Sequence, residues 1–432
     1  MGLKKRLKEL EEIVKHQAII IHEQAKEIIL LRNELNDLRG VIKEKSKPAF
    51  IKEDVKEEPK ISGQKKGHDG YSRHIPKRID EIKPLDSDEC KDCGEKLSGI
   101  QNVRSRVVTD VEMKVKNTQY IIHGRYCKNC GKIIEPDVVD ALPNARFGLK
   151  LMLLIMIMKI GIRMPSNKIT EFLLLFGLEI SDGEIYNVLN QLKEAYGNYY
   201  EKLVEKIKKA NVKNIDETSW RINGENNWLW IFINKEAALY VVNKKRSSKV
   251  PIETLGNQKG KFGTTDRFSA YNILVEETGI LQQICWAHLM RNTKDLAKNY
   301  PEAKYVHKRF KYIYAKAKEV KTSVEKLLHW IDLIRERGRS FKSMNTKKFL
   351  RSVCVNHRDD LFRFVDNPEI EPTNNRAESG LRPAVVIRKI SGGSRSNDGA
   401  ETTAKLLSIM QTMKMQDGNI IDNFTNLLYK AK

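Results

Sequence analysis

The chain has 432 residues, more than one ordinary domain holds, and length alone points to about three units. Lys and Arg number 78 against 56 Asp and Glu, and the resulting formal charge of +22 is spread along the chain; it favours a polyanionic partner, nucleic acid first, over a merely solubilising surface. The same numbers exclude a membrane span and a secreted disulfide scaffold. The longest apolar run, Leu151 to Met158, is fenced by Lys150 and Lys159 and is far short of the ~20 residues a bilayer needs. Of the six cysteines, four stand in two CxxC pairs, a usage that fits a reducing cytoplasm. Met1-Gly2-Leu3-Lys4-Lys5-Arg6 has no apolar stretch behind it, so no signal peptide is expected.

Residues 1–44 carry a heptad, with Leu7, Val14, Ile21, Ile28, Leu35 and Ile42 at a and Leu3, Leu10, Gln17, Gln24, Leu31 and Leu38 at d. That pattern, with Arg6 able to face Glu11 and Glu27 to face Arg32 of a second chain, predicts a parallel homodimeric zipper. Ile13 and Ile20 widen the stripe and keep an amphipathic helix packed on its own domain as the alternative. Residues 45–85 dissolve into Lys, Glu, Pro and Gly and read as a basic linker. Over residues 86–135, Cys90-Lys91-Asp92-Cys93-Gly94 and Cys127-Lys128-Asn129-Cys130-Gly131 form two knuckles with β-like sequence, Val111 to Tyr120, between them. Two thiolates from each knuckle complete a tetrahedral structural zinc site of Cys90, Cys93, Cys127 and Cys130. Residues 145–210 read as helices, one over Phe147 to Ile162, one over Asn167 to Leu175 and one beginning at Asp182 behind a turn at Ile180-Ser181. A helix-turn-helix that reads DNA and a plain helical bundle explain this stretch equally well.

The apolar period then changes from helical to alternating. Val212 to Ile215 is a strand ending at Asp216 and continued by Trp220 to Ile222; Asn223-Gly224 signals a hairpin; Trp228 to Ile233 and Ala237 to Val242 follow as strands. A helix over Ser248 to Leu255, a strand Gly263 to Thr265 leading into Asp266, a helix past Tyr271 and a strand Leu281 to Cys285 complete the order. Three antiparallel strands, then helix, strand, helix, strand, helix, is the order of a ribonuclease-H-like α/β core, expected over residues 211–293 and 371–410. Residues 294–370 are a basic helical insertion, and 411–432 a helical tail. In such a core the first and fourth strands are neighbours, so Asp216 and Asp266 meet, and the last helix delivers Glu378.

Two Asp and one late Glu are what two hard divalent cations, Mg²⁺ or Mn²⁺, need to act in phosphoryl transfer, one activating a water or a DNA 3′-hydroxyl and the other stabilising the leaving oxygen. Each acid also has an ordinary reading: Asp216 as a strand-end turn, Asp266 as an N-cap, Glu378 as the third residue of a capping box begun by Asn375. Glu217 is a possible auxiliary acid, although alternation turns it to the other face. Arg376, Arg382, Arg388, Lys389 and Arg395 cluster about Glu378, and Gly392-Gly393-Ser394-Arg395-Ser396 offers amides and hydroxyls to phosphate. Trp286 and His288 stand where a displaced base could stack or a phosphate be touched; a buried tryptophan and a core histidine are the alternatives.

Over nearly its whole length the sequence resembles the DDE transposases of the insertion sequence 66 family. The resemblance is carried by the zipper, the CxxC pairs, Ile215-Asp216-Glu217-Thr218, Thr265-Asp266-Arg267-Phe268-Ser269-Ala270-Tyr271, Cys285-Trp286-Ala287-His288 and Asn374-Asn375-Arg376-Ala377-Glu378, followed by Arg388-Lys389 and Gly392-Gly393-Ser394. It implies that Asp216, Asp266 and Glu378 are the catalytic triad, that the enzyme cuts at the inverted-repeat ends of its element, that the freed 3′-hydroxyls attack target DNA, and that accessory proteins of the same element take part. Two rivals stand beside this reading, a non-catalytic zinc-bearing DNA-binding regulator derived from a transposase, and a nuclease without strand transfer.

Overall fold

In the computed structural model the described residues are 78–431, apart from 101, 112, 320, 321 and 417, together with Gln17 and Gln24. The zipper expected over residues 1–44 and most of the basic linker therefore lie outside the described residues. The chain divides into two compact units at Thr109–Asp110.

In the first unit, Cys90 opens a tight knuckle. Gly94 N donates to Cys90 O at 2.9 Å and Cys90 N to Glu95 O at 2.8 Å, and the turn closes through Gly94 at φ +77°, where a side chain would be strained. In the second unit an equivalent knuckle joins the antiparallel strands β1 (Arg125–Cys127) and β2 (Lys132–Ile134), with Gly131 N on Cys127 O at 2.9 Å and Gly131 at φ +64°. The β-like run Val111 to Tyr120 forms no strand among its described residues. A strand needs a partner ladder and a face to bury, and Val111 and Tyr120 are exposed.

Helices follow: α1 (Leu149–Met156), continued by a π turn Ile157–Gly161, α2 (Ser166–Leu174), α3 (Asp182–Ala195) and α4 (Gly197–Lys209). The turn expected before Asp182 is a capping box: Glu184 N donates to Ser181 Oγ, and Ser181 N donates to Glu184 Oε2 at 2.9 Å. These helices bury Met152, Ile155, Ile185, Leu192 and Ile207 in the same apolar core as the sheet beyond them, so residues 145–210 are one body with it.

The sheet contains β3 (Val212–Ile222), β4 (Glu225–Ile233), β5 (Ala238–Asn243), β6 (Phe262–Thr265) and β7 (Leu281–Ile284), in the order β5-β4-β3-β6-β7. β3 is antiparallel to β4 and parallel to β6, and β6 is parallel to β7. Asn223 and Gly224, at φ +48° and +81°, make the two-residue hairpin between β3 and β4. The helices α5 (Lys249–Leu255) and α6 (Ala270–Thr278) flank β6. β5 is an edge strand, and its outward amides are satisfied by a helix: Ala238 N donates to Thr412 Oγ1 at 3.0 Å and Tyr240 N to Ser408 Oγ at 2.8 Å, both on α13 (Asn397–Met413). Because α13 is one helix through Met413, the core boundary expected at residue 410 falls inside it.

The insertion has its own core. α7 (Trp286–Asn299), α8 (Pro301–Lys316), α9 (Val324–Gly338) and α10 (Met344–Arg351) enclose Phe310, Ile331, Leu350 and Val353. The chain returns through a short α11 (Arg363–Asp366) to α12 (Asn375–Ser391), ahead of α13 and the terminal α14 (Ile420–Ala431). Among the described residues no helix is long and apolar enough to cross a membrane.

Candidate active site

Asp216 lies in the middle of β3, opposite Ile231 of β4, not at the strand's end. The parallel register pairs Asn214 with Thr264. Asp216 and Asp266 each stand two residues further on, so alternation puts them side by side on one face. Asp266 follows β6 and closes an Asx turn, its Oδ1 accepting from Phe268 N at 2.9 Å. It does not cap α6, whose first turn begins after Ser269. The amide of Gln282 donates to Thr265 Oγ1 at 2.6 Å and to Asp266 O at 3.1 Å, tying that turn to β7.

Glu378 sits in the first turn of α12, and no side chain caps that helix. Its carboxylate accepts from Arg291 of α7 at 2.9 Å, with His288 Nε2 at 3.7 Å. The start of α12 is held by Asn374, which is buried. Asn374 Nδ2 donates to Ile215 O at 2.8 Å, its Oδ1 accepts from Asn214 at 3.2 Å, and its backbone N donates to Cys285 Sγ at 3.1 Å. The residue before Asp216 is thus bonded to the residue four before Glu378.

The electrostatics agree with this convergence. Burial, and then the nearby carboxylates of Glu217, Asp266 and Glu378, push Asp216 up to about 8. Glu217 is turned away from Asp216 as alternation requires, and its side chain is 1% exposed. It pairs with Arg246 at 2.6 Å and accepts from the Tyr271 hydroxyl. Burial nevertheless raises its pKa, against the pull of both partners. Arg246 lies over the Phe268 and Trp228 rings, at 3.9 and 4.8 Å from their centroids.

The residues expected to meet DNA separate into two groups. Arg382, Lys389 and Arg395 are exposed, and Arg376 is half-buried in an ion pair with Glu371 at 2.5 Å. Arg388 is instead a strut, donating to Thr218 Oγ1 at 3.1 Å and to the carbonyl and hydroxyl of Ser219; burial lowers its pKa. Trp286 is 0% exposed, stacked on Tyr314 at 5.0 Å with its Nε1 donating to Leu361 O at 2.7 Å. That packing leaves no face for a displaced base. The Gly392–Ser396 loop is also engaged internally. Ser394 N donates to Arg221 O at 2.8 Å, Ser394 O accepts from Asn223 N at 2.9 Å, and Ser396 Oγ caps α13. On α3, Tyr186, Asn190 and Lys193 are bonded to Asp398, and Asp182, Asn187 and Glu194 face outward, which is not the basic surface of a recognition helix.

Sequence reasoning missed one grouping. Among the described residues, the three candidate ligand atoms lying within 4.8 Å of one another belong to Cys285, His288 and Glu378, not to the three acids. The signal was the Cys-x-x-His spacing across a strand-to-helix junction. Arg291, one further turn along α7, shares its face.

The site is a mixed sheet with partly buried acids at its centre, beside a basic helix, and comparison with known proteins gives the class as transposase. Residues 144–402 match the family described as Transposase IS66 family. The chain belongs to that family. It is 26% identical over 295 residues to the "Insertion element ISM1 uncharacterized 48.3 kDa protein" of Methanobrevibacter smithii, covering 62% of this chain and 69% of the relative. It is 39% identical over 57 residues to "Uncharacterized protein y4jO" of Sinorhizobium fredii, covering 13% of this chain and 18% of that one.

Proposed function

We propose that the protein is a DDE transposase whose ribonuclease-H-like core cuts at the inverted-repeat ends of an insertion sequence and joins the 3′-hydroxyls to target DNA. The observation that supports this reading is the electrostatics of Asp216, pushed up to about 8 by burial and by the charges of Glu217 on its own strand, Asp266 after the adjacent strand β6, and Glu378 on α12. An all-carboxylate set of partly buried side chains fits hard divalent cations, Mg²⁺ or Mn²⁺, which such transposases require and which these three acids would hold. When bound, the cations polarise the scissile phosphate and lower the cost of ionising the attacking hydroxyl.

The chain's own groups do the rest. Asp216 and Asp266 are fixed on adjacent strands, so their separation is set by the sheet. Asn374 orients Glu378 against them. Exposed Arg382, Lys389 and Arg395 meet phosphates of the end DNA, and Arg376 does so on leaving Glu371. The Cys90–Cys93 and Cys127–Cys130 knuckles hold one structural zinc, the N-terminal heptads join two chains, and accessory proteins of the element complete the assembly in the bacterial cytoplasm, on the nucleoid.

The rival regulator, which binds DNA without cutting it, draws support from one contact, the Arg291–Glu378 ion pair, which already satisfies the third acid. The test is product analysis. Purified protein is incubated with a labelled duplex carrying the element's end, plasmid target and Mg²⁺ or Mn²⁺. Joined DNA is expected. Nicking without joining would leave a nuclease, and binding without nicking, even with the element's other proteins added, would leave the regulator.

A further inference from the structure

The proposed centre uses oxygen donors, yet the tightest potential ligand group beside it is chemically different: Cys285 Sγ, a His288 ring nitrogen and a Glu378 oxygen, all within 4.8 Å of one another. We propose that Cys285, His288 and Glu378 form a second, thiophilic cation site, selective for zinc and its heavier congeners over magnesium, that withdraws Glu378 from the other two acids and so switches the enzyme off. The site itself stands on the geometry alone. Only its inhibitory consequence rests on the reading of Glu378 given above.

The three ligands come from elements that are already fastened together. Cys285 closes β7 and precedes α7, His288 lies in the first turn of that helix, and the Asn374 N to Cys285 Sγ bond pins the start of α12 to the same point. Tetrahedral zinc, with bonds of about 2.0–2.3 Å, places its ligand atoms roughly 3.3–3.8 Å apart. His288 Nε2 and Glu378 Oε1, at 3.7 Å, are at that spacing, and the remaining pairs need to close by about an ångström at most. His288 Nδ1 is buried without a hydrogen-bond partner, so no contact fixes the ring's tautomer, and Nε2, which faces Glu378, is the nitrogen placed to take a cation. The His288 and Glu378 side chains are 28% and 29% exposed, which gives the ion a way in and a fourth position for water. Arg291, 52% exposed, occupies Glu378 and is free to swing into solvent when the cation arrives.

Binding would release the Cys285 thiol proton to solvent and form a sulfur–metal bond that magnesium, which seeks oxygen, does not make. Glu378 cannot serve both centres.

The test is zinc equilibrium dialysis and metal analysis of the full chain, wild type against Cys285→Ser and His288→Gln. Wild type should hold about one zinc more per chain than either variant, and Cys90→Ser should keep that increment. Because Cys285 is buried, Cys285→Ser counts only if its melting temperature matches wild type; His288→Gln, on the accessible side, carries the test otherwise. Equal zinc content in wild type and in the folded variants would overturn the site. Nicking by wild type in Mg²⁺ should fall at least tenfold when micromolar zinc is added, and undiminished nicking would overturn the switch while leaving the transposase reading intact. Bound zinc in a chain that never nicks DNA would leave the site standing and overturn the reading of the reaction.

Discussion

Asp216→Asn tests the electrostatics of the proposed centre without any DNA. An ordinary aspartate titrates at 3.8, whereas Asp216 is pushed up to about 8, first by burial and then by Glu217 on its own strand, Asp266 beyond β6 and Glu378 on α12. Arg246 and Tyr271 compensate Glu217, and Arg291 compensates Glu378; among the described residues no cation pairs with Asp216 itself. In the folded state the proton is favoured, so between pH 4 and 8 the folded chain binds more protons than the unfolded one and stability falls as pH rises. At pH 7 the full linkage approaches ~4 kcal/mol, and water reaching the cleft reduces it to about 2. Asparagine keeps the shape and the acceptor for Glu217 N while removing the charge. For a unit of this size each kcal/mol moves the melting temperature by about 1.5 °C, so the variant should melt roughly 3–6 °C above wild type at pH 7.5 in chelator. The difference should shrink as pH falls toward 3.8 and vanish below it, where the wild-type carboxyl is protonated in both states. Mn²⁺ should raise the wild type and leave the variant unmoved. Calorimetric scans across pH decide it, and a variant less stable than wild type, or a difference independent of pH, would refute the reasoning.

Other substitutions probe separate parts of the account. Glu378→Gln should abolish nicking while end binding in a gel-shift assay survives; joint loss would give Glu378 a folding role instead. Cys90→Ser should lower the zinc content by about one ion per chain, read by metal analysis, and weaken end binding, whereas unchanged zinc would refute the four-thiolate site. Asn374→Ala strips partners from Ile215 O and Asn214 and should cost about 1–3 kcal/mol in urea unfolding. Nicking should fall further than that loss of stability explains, because α12 loses its tie to β3; activity in proportion to folded protein would make Asn374 merely structural.

Much of the frame around the candidate site was legible because it depends on local signals. Asn223-Gly224 announced its hairpin, and the continuous apolar run Trp228 to Ile233 announced β4. The order of strands then placed Asp216 beside Asp266. β3 looked interrupted because Glu217, Thr218 and Ser219 break the apolar alternation. They are covered by partners from distant segments, Tyr271, Arg246 and Arg388, which no local pattern contains. Trp286 could read as a stacking platform as well as a buried tryptophan for the same reason: Tyr314 and Phe362, which cover it, belong to the insertion. The Gly392–Ser396 loop read as a phosphate cradle, but Arg221 and Asn223 take its backbone groups, and at Gly393, φ +106°, an added Cβ would collide with Arg221 O. The meeting of Cys285, His288 and Glu378 is a product of how α12 docks, and only the spacing of the first two was visible in the chain.

The most direct test of the central claim, that Asp216, Asp266 and Glu378 form one metal-dependent DNA-cutting centre, is end nicking by wild type, Asp216→Ala, Asp266→Ala and Glu378→Gln in Mg²⁺ and in Mn²⁺, with end binding measured in parallel. The account predicts metal-dependent nicking by wild type alone and binding by all four. Nicking that survives loss of any one of the three acids would contradict it.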